Sequence, residues 1–179
     1  MKQTKTRAGA AMKIEPLPSS EQFHVEAAKG WVLLGDRAEA HKELDQIDRS
    51  WKQHPEVLEL RWFLHAEENA WKAALPIARK IHKRHPDRLF GWLAHAHSLL
   101  KSTGDAEAAW KLLYPAVDLF DGPQVPYGLA CYASLAGKFQ EAKEWLARAE
   151  EQSDGEEATE GPQPDLEGLS DYLEKLEAE

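Results

Sequence analysis

The sequence predicts an all-α protein made of four helical hairpins stacked into a small solenoid. Three observations carry this: turn-forming residues that recur at one period, a stripe of small and apolar residues that recurs with them, and prolines between the units. The turn residues are Gly35, Asn69, Gly104 and Gly137, spaced 34, 35 and 33 residues apart. Self-similarity at a fixed period of this length marks a repeat architecture.

The stripe follows each turn in register. Five residues on stand Ala40, Ala74, Ala109 and Ala142; nine on, Leu44, Ala78, Leu113 and Leu146; twelve on, Ile47, Ile81, Ala116 and Ala149. Steps of four and then three place these residues on one face of a helix. The alanine is small because the two helices of a tight hairpin come closest there. Gly or Asn at the turn suits the left-handed backbone that commonly ends a helix.

First helices are expected at about 21–34, 56–68, 88–101 and 125–136, and second helices at about 37–52, 71–84, 106–119 and 139–151. Pro55, Pro86 and Pro123 fall between hairpins, where proline ends one helix or opens the next. Pro76 and Pro115 fall inside second helices, and kinks are expected there. The domain organisation is thus a flexible N-terminal tail over 1–20 and an array over 21–151, with repeats 21–54, 55–87, 88–122 and 123–151. An acidic linker over 152–163 and a segment over 164–179 complete the chain.

Charge is uneven. Residues 153–179 carry ten acids against Lys175, a formal −9 equal to that of the whole 179-residue chain. The stretch 153–163 reads as a solvated linker. Beyond it, Leu166, Leu169, Tyr172, Leu173 and Leu176 share one face of an amphipathic helix. Such a helix would cap the open end of the stack, as solenoids require, or serve as a docking tail.

Hydrophobic residues make up 42% of the chain, enough to build a core. The acidic balance argues against broad, phosphate-driven nucleic-acid binding. Lys2, Lys5, Arg7 and Lys13 are not followed by the apolar run of about 7–15 residues that a secretory signal needs or the roughly 20 that a membrane span needs. A single cysteine, Cys131, cannot form an internal disulfide. These features predict a soluble, cytoplasmic protein with no membrane partner.

Little points to catalysis or metal binding. His95 and His97 are two apart and would face different ways on a helix. His82 and His85 could share a face, but Lys80, Lys83 and Arg84 surround them. These histidines are read as structural or solvated. Cys131 sits mid-helix among Ala130, Tyr132 and Ser134, with nothing to lower its pKa. No GxSxG, phosphate-cradling glycine loop or CxxC occurs. The expectation is no enzyme, no cofactor and no metal. The basic run Arg79–Arg88 complements a helix C-terminus, with attraction of an acidic peptide as the alternative.

The period near 34, the turn, the alanine and the linking proline resemble the tetratricopeptide repeat. The last hairpin is most similar: Leu129-Ala130-Cys131-Tyr132, then Gly137-Lys138-Phe139, then Ala142, Leu146 and Ala149. The whole run is similar to short bacterial tetratricopeptide proteins, which end in a segment like Pro164-Asp165-Leu166 and begin near the equivalent of Met12, so that residues 1–11 read as an upstream extension. Arg61 and His65 depart from the pattern, which has small or apolar residues there.

The resemblance implies a right-handed superhelix whose first helices line a concave, partner-binding groove. It carries no particular activity. By spacing, the groove candidates are Val25, Lys29, Val32, Glu59, Phe63 and Ala66, then Phe90, Leu93 and His97 on the third hairpin, and Tyr127, Cys131 and Ser134 on the fourth. Some tetratricopeptide proteins hold a C-terminal carboxylate in a lysine/asparagine clamp; only Lys29 could contribute to one here. The function expected is a non-catalytic scaffold or adaptor that binds a protein or peptide. The alternative is a self-associating, homo-oligomeric structural module using the terminal hairpin or tail.

Overall fold

The computed structural model describes residues 14–153, and every regular element among them is helical. The order is α1 (Ser19–Leu33), α2 (Arg37–Gln46), α3 (Pro55–Glu67), α4 (Trp71–Arg84), α5 (Leu89–Thr103), α6 (Ala106–Leu113), a 3-10 helix (Tyr114–Asp118), α7 (Gln124–Leu135) and α8 (Phe139–Ser153). These residues form two compact units that meet in sequence between Ser102 and Thr103. The first holds α1–α5 and the second α6–α8. The linker and capping helix expected over 152–179 lie almost wholly outside the described residues.

The turns explain why the chain breaks into hairpins at this period. Gly35, Asn69, Gly104 and Gly137 all have positive φ, from 56° to 79°. At three of them two crossed hydrogen bonds close the helix end. The Asp36 N–H donates to Trp31 O and Gly35 N–H to Val32 O; Ala70 and Asn69 donate to His65 O and Ala66 O; Lys138 and Gly137 donate to Ala133 O and Ser134 O. This pattern satisfies the last carbonyls of a helix and requires a left-handed residue in the middle. Two of the following helices are then capped by aspartate. The Asp36 carboxylate accepts from Glu39 N–H at 3.1 Å and Asp105 from Ala108 N–H at 2.8 Å.

All twelve stripe residues are buried. In the first unit Ala40, Leu44 and Ile47 pack with Val25, Ala28, Val57 and Leu64, and Leu17, Trp31, Val32, Trp51 and Leu60 close over them. In the second unit Ala142 and Leu146 pack with Ala130 and Ala133 beneath Trp110, Phe139 and Trp145. The aromatic content thus covers cores whose centres are small, which is what close-packed helices demand.

Two expectations need correction. The second helix of the first hairpin ends at Gln46 rather than 52, because Asp48 turns the chain: its carboxylate accepts the Ser50 N–H at 2.8 Å, competing with helix continuation. Ile47 stays buried even so. At Pro115 the helix does not bend but gives way to a 3-10 turn after Leu113. Pro76 stands inside α4, which continues past it to Arg84. Residues 14–18 are also better anchored than a free tail, since Leu17 joins the core and the Glu15 carbonyl lies 3.0 Å from His54 Nε2.

The backbones of α4 and α5 approach closely at Gly91. A Cβ there would sit 3.0 Å from the backbone N and Cα of His82. Gly30, inside α1, has open space around it. Opposite outcomes are therefore expected in urea titrations. Gly91→Ala should destabilise by about 1–3 kcal/mol through overpacking, whereas Gly30→Ala should stabilise by about 0.5–1 kcal/mol through helix propensity.

Candidate partner-binding surface

Exposed large apolar side chains are distributed unevenly between the two helices of the first, second and fourth hairpins. Phe23 (67% exposed) and Leu33 (88%) lie on α1, Phe63 (40%) on α3 and Leu135 (61%) on α7. The second helices α2, α4, α6 and α8 expose none; their outer faces carry charged residues, alanines and Pro76. Ile14, Leu34, Tyr114 and Leu119 are also exposed, but all four stand outside the α-helices. Helices α1, α3 and α7 thus keep apolar surface in water, while α5 and the second helices expose no large apolar side chain.

In the first unit the candidate residues occupy three kinds of setting. Val25 is fully buried in the core and packs rather than faces a groove. Phe63 is open to solvent. Lys29 is exposed and bridges to Glu26 one turn back at 2.8 Å, a contact that holds the Glu26 carboxyl below its ordinary range. Phe90 and His97 are half-buried. Phe90 stands edge-on to Trp62 with centroids 5.2 Å apart, and His97 meets Trp71 edge-on at 5.1 Å. Burial lowers the His97 pKa, so its ring is held neutral. Leu93 is part-exposed.

Glu59 is the one acid of this set. Arg88 Nη2 approaches its Oε1 at 2.8 Å, a close ion pair without the alignment of a hydrogen bond. Burial nevertheless pushes the Glu59 pKa up, outweighing the pull of Arg88. The pair is a half-buried polar point among the candidate residues.

In the second unit, Tyr127 and Cys131 lie one turn apart on α7, both half-buried, while Ser134 is buried. Neither Tyr127 nor Cys131 is without interactions of its own. Ala66 and Val32 are half-buried on α3 and α1.

The two departures from the repeat pattern acquire structural reasons. Arg61 reaches from α3 to the last turn of α2, donating to Leu44 O at 2.7 Å and to Asp45 Oδ1 at 2.8 Å. It supplies a partner for a carbonyl left open where α2 stops early. The Arg61 hydrogen bond also keeps the Asp45 carboxyl low. His65 faces His41 and Glu68, a grouping between residues too far apart in sequence to be read as a motif. His95 and His97, two apart on α5, meet different partners: His95 contacts His82 and His97 contacts Trp71, while His85 is buried beside a cleft of Ile14, Trp51, His54 and Pro55.

Among the described residues no helix is long and apolar enough to cross a membrane. No family model matches the chain, and no curated protein matches it. Solved structures do. MamA MSR-1 C2 aligns with a TM-score of 0.62 at 15% identity, covering 75% of this chain and 77% of its own. A thermophilic TPR protein of Thermus thermophilus aligns at 17% identity and a TM-score of 0.47, covering 89% of this chain and all of its own. The alignment with MamA MSR-1 C2 bears out the expected fold, all-helical and tetratricopeptide-like.

Proposed function

We propose that this tetratricopeptide-like chain is a non-catalytic interaction scaffold that binds a segment of a partner protein along its first helices. The observation that carries this reading is the placement of exposed Phe23, Leu33 and Phe63 on the first helices α1 and α3 of the first unit, with no counterpart on α2 or α4. Exposed aromatic and aliphatic side chains on a preformed surface are the usual anchors for a partner segment. The Glu59–Arg88 pair gives such a segment one polar contact to satisfy, favouring partners with a hydroxyl or amide at that point.

Affinity capture from native lysate tests the assignment, with wild type compared against Phe63→Ala and Phe23→Ser. A control variant, Lys80→Ala on the outer face of α4, should behave as wild type. Proteins retained by wild type and by the control, but at least about tenfold depleted in the first-helix variants, are the expected result. Equal capture by all four proteins, with unchanged circular dichroism, would place the binding surface elsewhere. Size-exclusion chromatography with light scattering on the same variants separates this reading from self-association, in which Phe63→Ala and Phe23→Ser would convert a dimer to a monomer.

A further inference from the structure

We infer that His41, His65 and Glu68 form a binding site for a first-row transition-metal ion, Zn²⁺ being the best match to its donors. His41 lies in α2, His65 in the last turn of α3, and Glu68 caps α3, so the three come from two neighbouring hairpins. Their ligand atoms all lie within 4.8 Å of one another. His41 Nε2 stands 3.2 Å from Glu68 Oε1, and His65 Nδ1 stands 3.6 Å from Glu68 Oε2. Zinc takes imidazole nitrogen and carboxylate oxygen at about 2.0–2.2 Å, which puts tetrahedral donors about 3.3 Å apart. The two contacts to Glu68 are already close to that separation, and the two histidine rings face each other at 5.1 Å.

A further feature favours a cation over a plain polar contact. His65 Nδ1 is sheltered from solvent and has no hydrogen-bond partner, because Glu68 stops short of it. A sheltered, unpartnered nitrogen is uncommon in folded proteins and calls for an occupant. The positive charge of Arg61 opposes a dication, but its guanidinium is engaged by Asp45 at 2.8 Å. All three residues are partly exposed, so an ion can enter and water can fill a fourth position. Two histidines and one carboxylate with an open position also suit Ni²⁺, Co²⁺ or Fe²⁺; softer thiolate-seeking ions find no sulfur here.

The ion would tie α2 to the end of α3, alongside the Arg37–Glu67 ion pair that joins the same two elements at 3.1 Å. Binding to the folded state alone would then raise stability.

Isothermal titration of the full, untagged chain with Zn²⁺ at pH 7.5, paired with Co²⁺ absorption, tests the site. One ion per chain with micromolar affinity and a raised melting temperature are expected. His41→Ala, His65→Ala and Glu68→Gln should each weaken binding at least about tenfold. His85→Ala, a histidine outside the cluster, should leave it unchanged. Absence of saturable binding, or full affinity in variants whose circular dichroism shows them folded, would overturn the site. So would loss of binding in His85→Ala.

Discussion

Leu44→Ala is expected to lower the unfolding free energy by about 2–5 kcal/mol, toward the top of that range. Leu44 is fully buried, and its surroundings cannot relax to refill the space. Two of its neighbours, Ala28 and Ala40, sit where helices of the first hairpin approach each other, and their methyl groups have no reach. Val25, Ile47, Val57 and Leu64 are branched residues already held by the same core, so most of a leucine-sized cavity would persist. The matching control is Leu33→Ala, at the exposed end of α1, which should change stability by no more than about 0.5 kcal/mol. Urea denaturation followed by circular dichroism compares the two. If Leu44→Ala cost less than about 1 kcal/mol, the stripe that begins at Ala40 would not be the core-facing register.

The same stripe shows why the fold was legible in the sequence and the site was less so. The fold is written in features that act locally and repeat: a positive-φ residue at each turn, then an alanine, a second and a third buried residue at fixed offsets. Each is imposed by backbone sterics or close helix approach, and each recurs four times. What escaped the sequence lacks repetition. The early end of α2 depends on one aspartate, Asp48, bonding its own local backbone. The burial of Val25 depends on how Leu17 and the second helix close over α1.

The binding surface is less periodic still. Glu59 and Tyr127 stand ten residues before their turns, and Lys29, Phe63 and Cys131 six before theirs. The equivalents in α5 are Ala94 and Ser98, and both are buried. Ser98 is occupied by Trp62, whose indole N–H donates to its hydroxyl at 2.8 Å. Phe90, Leu93 and His97 therefore belong to a different row of α5, and two of them turn a face to Trp62 and Trp71. The His41–His65–Glu68 grouping was invisible for a related reason, since its donors come from separate helices and no spacing rule joins them.

Acidification from pH 7.5 to 5 is expected to destabilise the first unit, chiefly through His95. Its ring is buried on α5, and its Nδ1 lies 2.9 Å from Nδ1 of His82 on α4. One nitrogen donates and the other accepts, so the contact requires at least one neutral ring. The indole of Trp92 lies over the His82 ring with centroids 4.0 Å apart and seals the pair from one side. Burial, then His82, Arg79 and Lys83, push the His95 pKa down to about 4, and no carboxylate opposes them. His82 is lowered too, by burial and by Lys83.

A depressed folded-state pKa fixes the sign. Above the unfolded histidine value of about 6.5 both states are neutral at this site, and its contribution is complete. As pH falls through that value the unfolded chain takes up a proton that the folded chain refuses. Stability therefore declines with each further step until the folded ring titrates near 4. For His95 alone the loss by pH 5 is about 2 kcal/mol. His65, His85 and His97 are lowered by burial and act in the same direction, while Glu59, whose pKa is raised, opposes them at lower pH. His95→Gln keeps a hydrogen-bonding side chain for His82 but removes one titrating ring. Its urea midpoint should fall less steeply between pH 7.5 and 5 than that of wild type. Parallel slopes would mean that the buried imidazole pair does not control the acid response.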